Sequence, residues 1–324
     1  MRVFINGFGR IGRSVLRAWA GHKQAWPQLE IVGINDIATP EICAYLFEYD
    51  STFGPWRGSV ALEGGALVVD GTAIALHRAA DLSELDLSQV DVVLECTGRG
   101  TKRDVLEQGL IAGAGRVLVS GPSPVADLTV VLGANEGALG AQRIVSNASC
   151  TTNALAPLVR VLDDAFGIVT GSMTTVHCYT GSQPTIDAPA GDFARSRAAA
   201  LSMVPTTTSA SKLLDQVLPQ VAGRLQGSAV RVPVASVSCV DLAVMLQGPA
   251  DVATVNRLLQ QAGGVIGWTD KPLVSSDLRA RPESIVMALP ETRMTPQGML
   301  RVFGWYDNEW GFSNRMLDMA LRLN

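Results

Sequence analysis

A short apolar strand, a glycine-rich turn and a helix open this 324-residue chain, and they narrow its fold more than any other stretch. Arg2 to Ile5 reads as a buried strand. Asn6-Gly7-Phe8-Gly9-Arg10-Ile11-Gly12-Arg13 follows, and a helical pattern runs on through Val15, Leu16 and Trp19. In a G-x-G-x-x-G turn the first glycine allows the tight reversal. The second lets a pyrophosphate approach the backbone, and the third lets helix pack on strand. Asn6, Gly7, Gly9, Arg10, Ile11 and Gly12 are therefore the expected dinucleotide contacts. Glycine-rich turns are common, so the motif needs its context. The next strand, Leu29 to Ile34, ends in Asn35-Asp36. An acidic residue at that point can accept hydrogen bonds from an adenosine ribose. Asp36 would also repel a phosphate placed there, so the expected cofactor is NAD rather than NADP.

Strand and helix patterns keep alternating up to Val145, which argues for an α/β fold built on a doubly wound parallel sheet. Thr39-Pro40-Glu41 reads as an N-cap, a proline at the first helical position and an acidic first turn, with the helix reaching about Phe47. Short runs from Ser59 to Leu76, broken by Gly64-Gly65 and Asp70-Gly71, read as hairpins. Val90 to Leu94, Val117 to Val119 and Leu128 to Leu132 read as strands, and Val105 to Ala112 as a helix. Beyond residue 150 the character changes. Ile168 to His177, Gly227 to Val234 and Ser236 to Gln247 are longer and β-rich, which predicts a second, mostly antiparallel α+β domain. Gly181 to Asp192 lacks periodicity and carries Pro184 and Pro189, so a long and functional loop is expected.

Composition excludes several classes. The net charge is −4, which argues against a dedicated nucleic-acid binder. Hydrophobic residues make up 47% and charged residues 17%, without an apolar run of membrane-spanning length or a signal-peptide pattern. Five scattered cysteines, Cys43, Cys96, Cys150, Cys178 and Cys239, form no CxxC or metal spacing. Reduced thiols, no metal and a cytoplasmic setting are the expectation.

The chemistry is expected at Ser146-Asn147-Ala148-Ser149-Cys150-Thr151-Thr152-Asn153. This stretch joins a strand, Arg143 to Val145, to a helical pattern through Leu162, and so puts Cys150 at a helix N-terminus. The positive end of the helix dipole and free backbone N–H groups favour thiolate over thiol, and the thiolate is the nucleophile. A buried cysteine is more often a small packing residue, but packing does not call for so polar a surrounding. Among three histidines, His22 reads as solvated and His77 as surface or cofactor-edge. His177 ends a strand just before the long loop, where an imidazole could assist a thiolate and later act as base. Arg195 and Arg197, which flank the loop, and Arg231, with Thr180 and Thr206 to Thr208, have the chemistry of an anion site. Each arginine alone reads as a surface charge; Arg231, in the apolar strand Val230-Arg231-Val232-Pro233, is the hardest to read that way.

From end to end the chain resembles the phosphorylating glyceraldehyde-3-phosphate dehydrogenases. The resemblance rests on Ile5 to Arg13, Ser146 to Asn153, Thr174-Thr175-Val176-His177, Arg231-Val232-Pro233 and Trp305-Tyr306-Asp307-Asn308-Glu309-Trp310-Gly311. It implies Cys150 as nucleophile, His177 as base and Asn308 as the residue that fixes the nicotinamide amide, with Ser120 also on the cofactor. Thr180, Arg195 and Arg231 fall at substrate-phosphate positions. Ser149, Thr151 and Thr208 fall at inorganic-phosphate positions, and Ser209 replaces a glycine there. The implied partners are glyceraldehyde 3-phosphate, inorganic phosphate and further copies of the chain in a homotetramer. The implied domains are 1–149 with 309–324 for NAD in a Rossmann fold, and 150–308 for catalysis.

Several positions depart from the family pattern: Ala154, Ser182, Ser209, Phe312 where a tyrosine is usual, and Asp277 to Pro282. They cluster around the substrate pocket and leave three alternatives open. One is an erythrose-4-phosphate dehydrogenase. Another is a paralogue using arsenate in place of phosphate, and the third, of a different class, is a non-catalytic protein binding a macromolecule in the cofactor groove.

Overall fold

The computed structural model describes residues 1–323, which divide into two compact units. One contains Met1–Val130, Glu136–Ala148 and the chain from Phe312 onward; the other contains Val131–Asn135 and Ser149–Gly311.

The first unit is built on a nine-stranded sheet of β1 (Arg2–Asn6), β2 (Glu30–Asn35), β3 (Val60–Glu63), β4 (Ala66–Val69), β5 (Thr72–His77), β6 (Val92–Glu95), β7 (Arg116–Val119), β8 (Leu128–Thr129) and β9 (Ile144–Ser146). Their order is β3-β4-β5-β2-β1-β6-β7-β9-β8. Pairing is parallel from β5 to β8, and only the β3–β4 and β4–β5 pairs are antiparallel. Helices α1 (Arg10–Gly21), α2 (Pro40–Glu48) and α3 (Arg103–Ile111) follow strands of this sheet. Val3, Phe4, Ile5, Val92, Val93 and Leu94 are all buried, in the continuous apolar runs of strands covered on both faces. The chain leaves β1 for β2 on one side and later for β6 on the other. That change of direction opens a crevice at the strand ends, where ligands bind in such sheets. The N-cap at Thr39 and the proline at the first position of α2 are as read from the sequence; the Thr39 side chain accepts from the Ile42 N–H.

One strand differs from the sequence reading. Only Leu128–Thr129 pairs, not Leu128 to Leu132. The Val131 N–H donates instead to the Asn135 side chain at 2.8 Å, and the chain turns there. Hydrophobicity alone does not reveal that local bond.

The second unit carries an eight-stranded sheet of β10 (Ile168–Cys178), β11 (Val204–Thr206), β12 (Leu225–Val232), β13 (Ser238–Leu246), β14 (Ile266–Thr269), β15 (Ile285–Ala288), β16 (Arg293–Met294) and β17 (Met299–Tyr306). The order is β11-β12-β10-β13-β17-β15-β14, with β16 beside β17. Pairing is mostly antiparallel, as expected, with β10–β12 and β14–β15 parallel. Helices α4 (Cys150–Phe166), α5 (Ala210–Val217) and α6 (Val252–Ala262) belong to this unit, and α7 (Trp310–Ala320) begins in it. Among the described residues no helix is long and apolar enough to cross a membrane.

A glycine cradle and a cysteine–histidine pair

Each glycine of the first turn has its own reason. Gly7 has φ of +93°, and a side chain on it would meet the Thr97 backbone nitrogen at 2.6 Å. A Cβ on Gly12 would lie 2.1 Å from the Gly7 carbonyl oxygen and 3.2 Å from Ile5, so helix and strand close only around a hydrogen. Gly9 is different: nothing lies within 4 Å of where its Cβ would be. It caps α1 and is exposed, so the helix N-terminus is open to an anion there.

Beside this turn is a cleft of about 320 Å³, lined among others by Gly7, Gly9, Asp36, Thr97 and Arg99. Asp36 sits on its rim with its carboxylate anchored. Oδ2 accepts the Phe8 N–H at 2.6 Å and Oδ1 the Ala38 N–H at 2.8 Å. Under the cleft the ends of β1, β2 and β6 present buried polar residues that bond one another. Asn35 donates to Asn6 at 2.9 Å, and Asn6 donates to Glu95 at 2.6 Å. Burial pushes the Glu95 carboxyl up, against hydrogen bonds from Thr97 and Asn6. The sequence reading missed Glu95; an acidic residue closing an otherwise apolar strand was its one signal. Arg10 pairs with Asp50 and lies over the Phe53 ring, so it shapes the turn's flank. Ser120 donates its N–H to the Glu95 carbonyl and its side chain meets the Cys96 thiol. His77 is half-buried against Phe4, and His22 is exposed at the end of α1. The cradle has the shape and donors that a dinucleotide requires.

In the second unit, Cys150 is the first residue of α4. Ahead of it Ala148, with φ of +55°, turns the chain sharply into the helix; such backbone strain is a mark of functional turns. Ser149 caps the helix, accepting the Thr152 N–H at 3.0 Å. The Cys150 Sγ lies 3.7 Å from His177 Nε2. His177 Nδ1 is 2.7 Å from the Cys178 carbonyl oxygen, which accepts only from a protonated Nδ1; in that tautomer the Nε2 lone pair faces the thiol.

Arg231 completes this cluster. It stands opposite His177 in the β10–β12 register, so both side chains emerge on one face of the sheet. Its Nη1 is 2.9 Å from His177 Nδ1, donates to the Cys178 carbonyl at 3.0 Å and reaches Thr180 Oγ1 at 3.5 Å. Its other guanidinium nitrogens have no protein partner among the described residues, and no carboxylate neutralises it. Val204 is also opposite Arg231, so Thr206, two residues along β11, shares that face. Arg195 reaches it from the loop, with Nε donating to Thr206 Oγ1 at 2.6 Å. Thr208 accepts the Ala210 N–H, and Ser209 precedes α5 without capping it through its side chain.

Two hydroxyls are engaged elsewhere. Thr151 Oγ1 is turned inward to the Tyr306 hydroxyl at 2.8 Å, which bonds Thr175 at the same distance. Ser149 Oγ is 2.7 Å from Thr152 Oγ1. Tyr306 thus ties the first turn of α4 to β10 and packs edge-on against His177, with centroids 5.9 Å apart. Its inward place in the alternating pattern of β17 was the signal for it.

Burial disfavours a lone charge on either member of the pair. It pushes the Cys150 thiol up, opposed by Arg231, by Thr151 and by backbone N–H groups at the helix start. It pulls the His177 imidazole down to about 4, and the Arg231 cation adds to that. The charged state such a site tolerates is the joint one, with the thiol proton moved to Nε2 and the two charges facing each other. Burial also holds Cys43 and Cys239 up at about 11 and Cys96 and Cys178 at about 12. Of these five thiols only Cys150 starts a helix and faces His177 Nε2.

Asn308 follows β17 in a turn clamped by the buried Asp307, whose carboxylate accepts N–H groups of Ala280, Glu309 and Trp310. Its side-chain Oδ1 takes a hydrogen bond from the Cys178 thiol at 3.1 Å.

Comparison with known proteins matches both parts of the chain to one family. Residues 1–103 match the family model for the NAD binding domain of glyceraldehyde 3-phosphate dehydrogenase. Residues 149–308 match that for its C-terminal domain. The chain is 47% identical over 330 residues to the glyceraldehyde-3-phosphate dehydrogenase of Pseudomonas aeruginosa, covering 100% of this chain and 98% of that one. It is 46% identical over 332 residues to that of Xanthobacter flavus, with the same coverage. Against glyceraldehyde-3-phosphate dehydrogenase 1 of Bacillus subtilis it is 41% identical over 329 residues, covering 99% and 97%. With an open glycine cradle in one unit, a cysteine facing a histidine in the other, and likeness along its whole length, the chain belongs to the glyceraldehyde-3-phosphate dehydrogenase family.

Proposed function

We propose that the chain oxidises glyceraldehyde 3-phosphate, with NAD and inorganic phosphate, to 1,3-bisphosphoglycerate. The observation that carries this is Cys150 at the start of α4 with His177 Nε2 3.7 Å from its sulfur and Arg231, which has no carboxylate partner among the described residues, beside them. Cys150 attacks the aldehyde carbon as a thiolate and gives a thiohemiacetal. The Cys150 backbone N–H and His177 stabilise the oxyanion. His177 Nε2 then takes the hydroxyl proton. NAD, when bound, supplies the hydride acceptor. The resulting thioester on Cys150 is attacked by inorganic phosphate, which forms the acyl phosphate and frees the thiol.

Asn6, Gly7, Gly9, Arg10, Ile11, Gly12, Asp36, Ser120 and Asn308 are the proposed cofactor residues. The open space at Gly9 supports a dinucleotide, and the anchored Asp36 carboxylate supports NAD over NADP. The free guanidinium nitrogens of Arg231, with Thr180 and Arg195, are proposed for the substrate phosphate. Ser149, Thr151, Thr208 and Ser209 are proposed for inorganic phosphate. With the Thr151 hydroxyl on Tyr306, that residue contributes through its backbone N–H. The proposed division is 1–149 with 309–324 for NAD and 150–308 for catalysis, in a cytoplasmic homotetramer. Exposed Ile186, Phe193, Leu201 and Met203 around the long loop support burial against another copy.

The test is reduced-cofactor formation with the three- and four-carbon aldehyde phosphates, with and without inorganic phosphate, and with arsenate as acceptor. The three-carbon substrate should be fastest and should need phosphate. Preference for the four-carbon aldehyde, or a rate indifferent to phosphate, would replace this reading with the sister activity.

A further inference from the structure

We propose that Cys178 is a positioning residue for the cofactor. Its thiol hydrogen locks the Asn308 amide so that Nδ2 is presented as a donor to the carboxamide oxygen of the nicotinamide. The inference rests on the reading that Asn308 meets the nicotinamide, and adds the residue that decides which way the amide faces.

An asparagine side chain has two nearly isosteric ends, one accepting and one donating, and a site that needs the donor must block the flipped rotamer. The block here is chemical. Cys178 Sγ donates to Asn308 Oδ1 at 3.1 Å, while the Ser238 side chain bonds the same sulfur. His177 Nδ1 lies farther off, at 3.8 Å from the sulfur, and is 2.7 Å from the Cys178 carbonyl oxygen. Cys178 is buried at the end of β10, and its N–H donates to Ser238 Oγ at 3.1 Å, so the residue is fixed from behind. Burial holds its thiol at about 12, which keeps the hydrogen in place across the working pH range. Flipping Asn308 would set its Nδ2 hydrogens against that S–H. In the observed rotamer Nδ2 has no protein partner among the described residues and is not sealed from solvent, so its hydrogens are left for a ligand.

The experiment uses the full-length enzyme, Cys178→Ala, Cys178→Ser and Asn308→Ala. Each is assayed with NAD and with its 3-acetylpyridine analogue, which keeps the carbonyl but lacks the amide nitrogen. Loss of one hydrogen bond in Cys178→Ala should raise KM for NAD about two- to tenfold. Cys178→Ser, which keeps a donor, should restore it to within about twofold of wild type. The analogue should suffer more than NAD in Cys178→Ala. A flipped Asn308 can still accept from a carboxamide NH₂ but offers nothing to a methyl ketone. ADP-ribose, which has no nicotinamide, should bind all variants alike. If Cys178→Ala leaves KM and the NAD-to-analogue ratio unchanged while Asn308→Ala raises KM, the positioning role is overturned and the nicotinamide reading stands. An Asn308→Ala enzyme with normal KM overturns that reading, and this inference with it. Equal loss of ADP-ribose affinity in Cys178→Ala means general damage and also overturns the role.

Discussion

Replacing Arg231 with alanine tests the substrate reading where the structure gives it most content. Arg231 holds its place through one nitrogen, Nη1, on the Cys178 carbonyl and Thr180. Nε and Nη2 remain for a ligand, and among the described residues no carboxylate offsets the charge. One charge-assisted hydrogen bond to a phosphate is worth about 1.5–3 kcal/mol. Counting only one, because neighbouring bonds are not additive, Arg231→Ala should raise KM for glyceraldehyde 3-phosphate roughly tenfold to over a hundredfold. The effect on kcat should be smaller. The cation favours the Cys150 thiolate but disfavours the His177 imidazolium, so its two influences on proton transfer oppose each other. Initial rates of reduced-cofactor formation at saturating NAD and phosphate give both constants. Unphosphorylated glyceraldehyde, with nothing for Arg231 to grip, should be poor for wild type and nearly insensitive to the change. If KM moves less than about twofold, or the unphosphorylated aldehyde loses the same factor, the phosphate assignment is refuted.

Three further outcomes follow from the same geometry. Iodoacetamide near neutral pH should label Cys150 first: burial raises all five thiols, but only Cys150 starts a helix and has His177 Nε2 at 3.7 Å to take its proton; peptide mapping showing Cys43 or Cys239 labelled first with activity retained would count against it. Asp36→Asn should improve NADP relative to NAD about tenfold by removing a like-charge contact, seen in the ratio of kcat/KM values; an unchanged ratio would place the ribose elsewhere. His177 couples folding to pH: its imidazole titrates at about 4 in the folded chain and near 6.5 when unfolded, so the unfolded state binds more protons between those values. Its neutral form stabilises the fold above pH 6.5, and about 2 kcal/mol of that is lost on going from pH 7 to pH 5. In denaturant titrations His177→Asn should lose less stability over that interval than wild type, and an equal loss would contradict the buried neutral imidazole.

Much of this was readable from local pattern. Strand, glycine turn and helix are consecutive in the chain, and the order of Gly7, Gly9 and Gly12 encodes which position strains, which opens and which packs. Cys150 at a helix start was legible for the same reason, since Ser149 and Thr152 supply the cap within a few residues. What was hidden is non-local. That Arg231 stands opposite His177 depends on the parallel pairing of β10 with β12, which join segments 54 residues apart, and no spacing rule specifies it. The inward turn of Thr151 depends on Tyr306, 155 residues away, so a hydroxyl suited to an anion serves instead to hold α4 to β10. Strands β14 and β15 are short, and nothing in their own periodicity marks them as neighbours in one sheet. The Cys178–Asn308 contact spans 130 residues and was invisible for the same reason.

The central claim is that Cys150 carries the acyl group. Enzyme mixed with glyceraldehyde 3-phosphate and NAD without inorganic phosphate, then quenched in acid and digested, can be read by mass spectrometry for a 3-phosphoglyceroyl adduct. The expected result is one adduct per chain on the peptide containing Cys150, formed together with one equivalent of reduced cofactor and lost within a turnover of adding phosphate. A full equivalent of reduced cofactor with Cys150 unmodified, or an adduct on any other residue, would contradict the account.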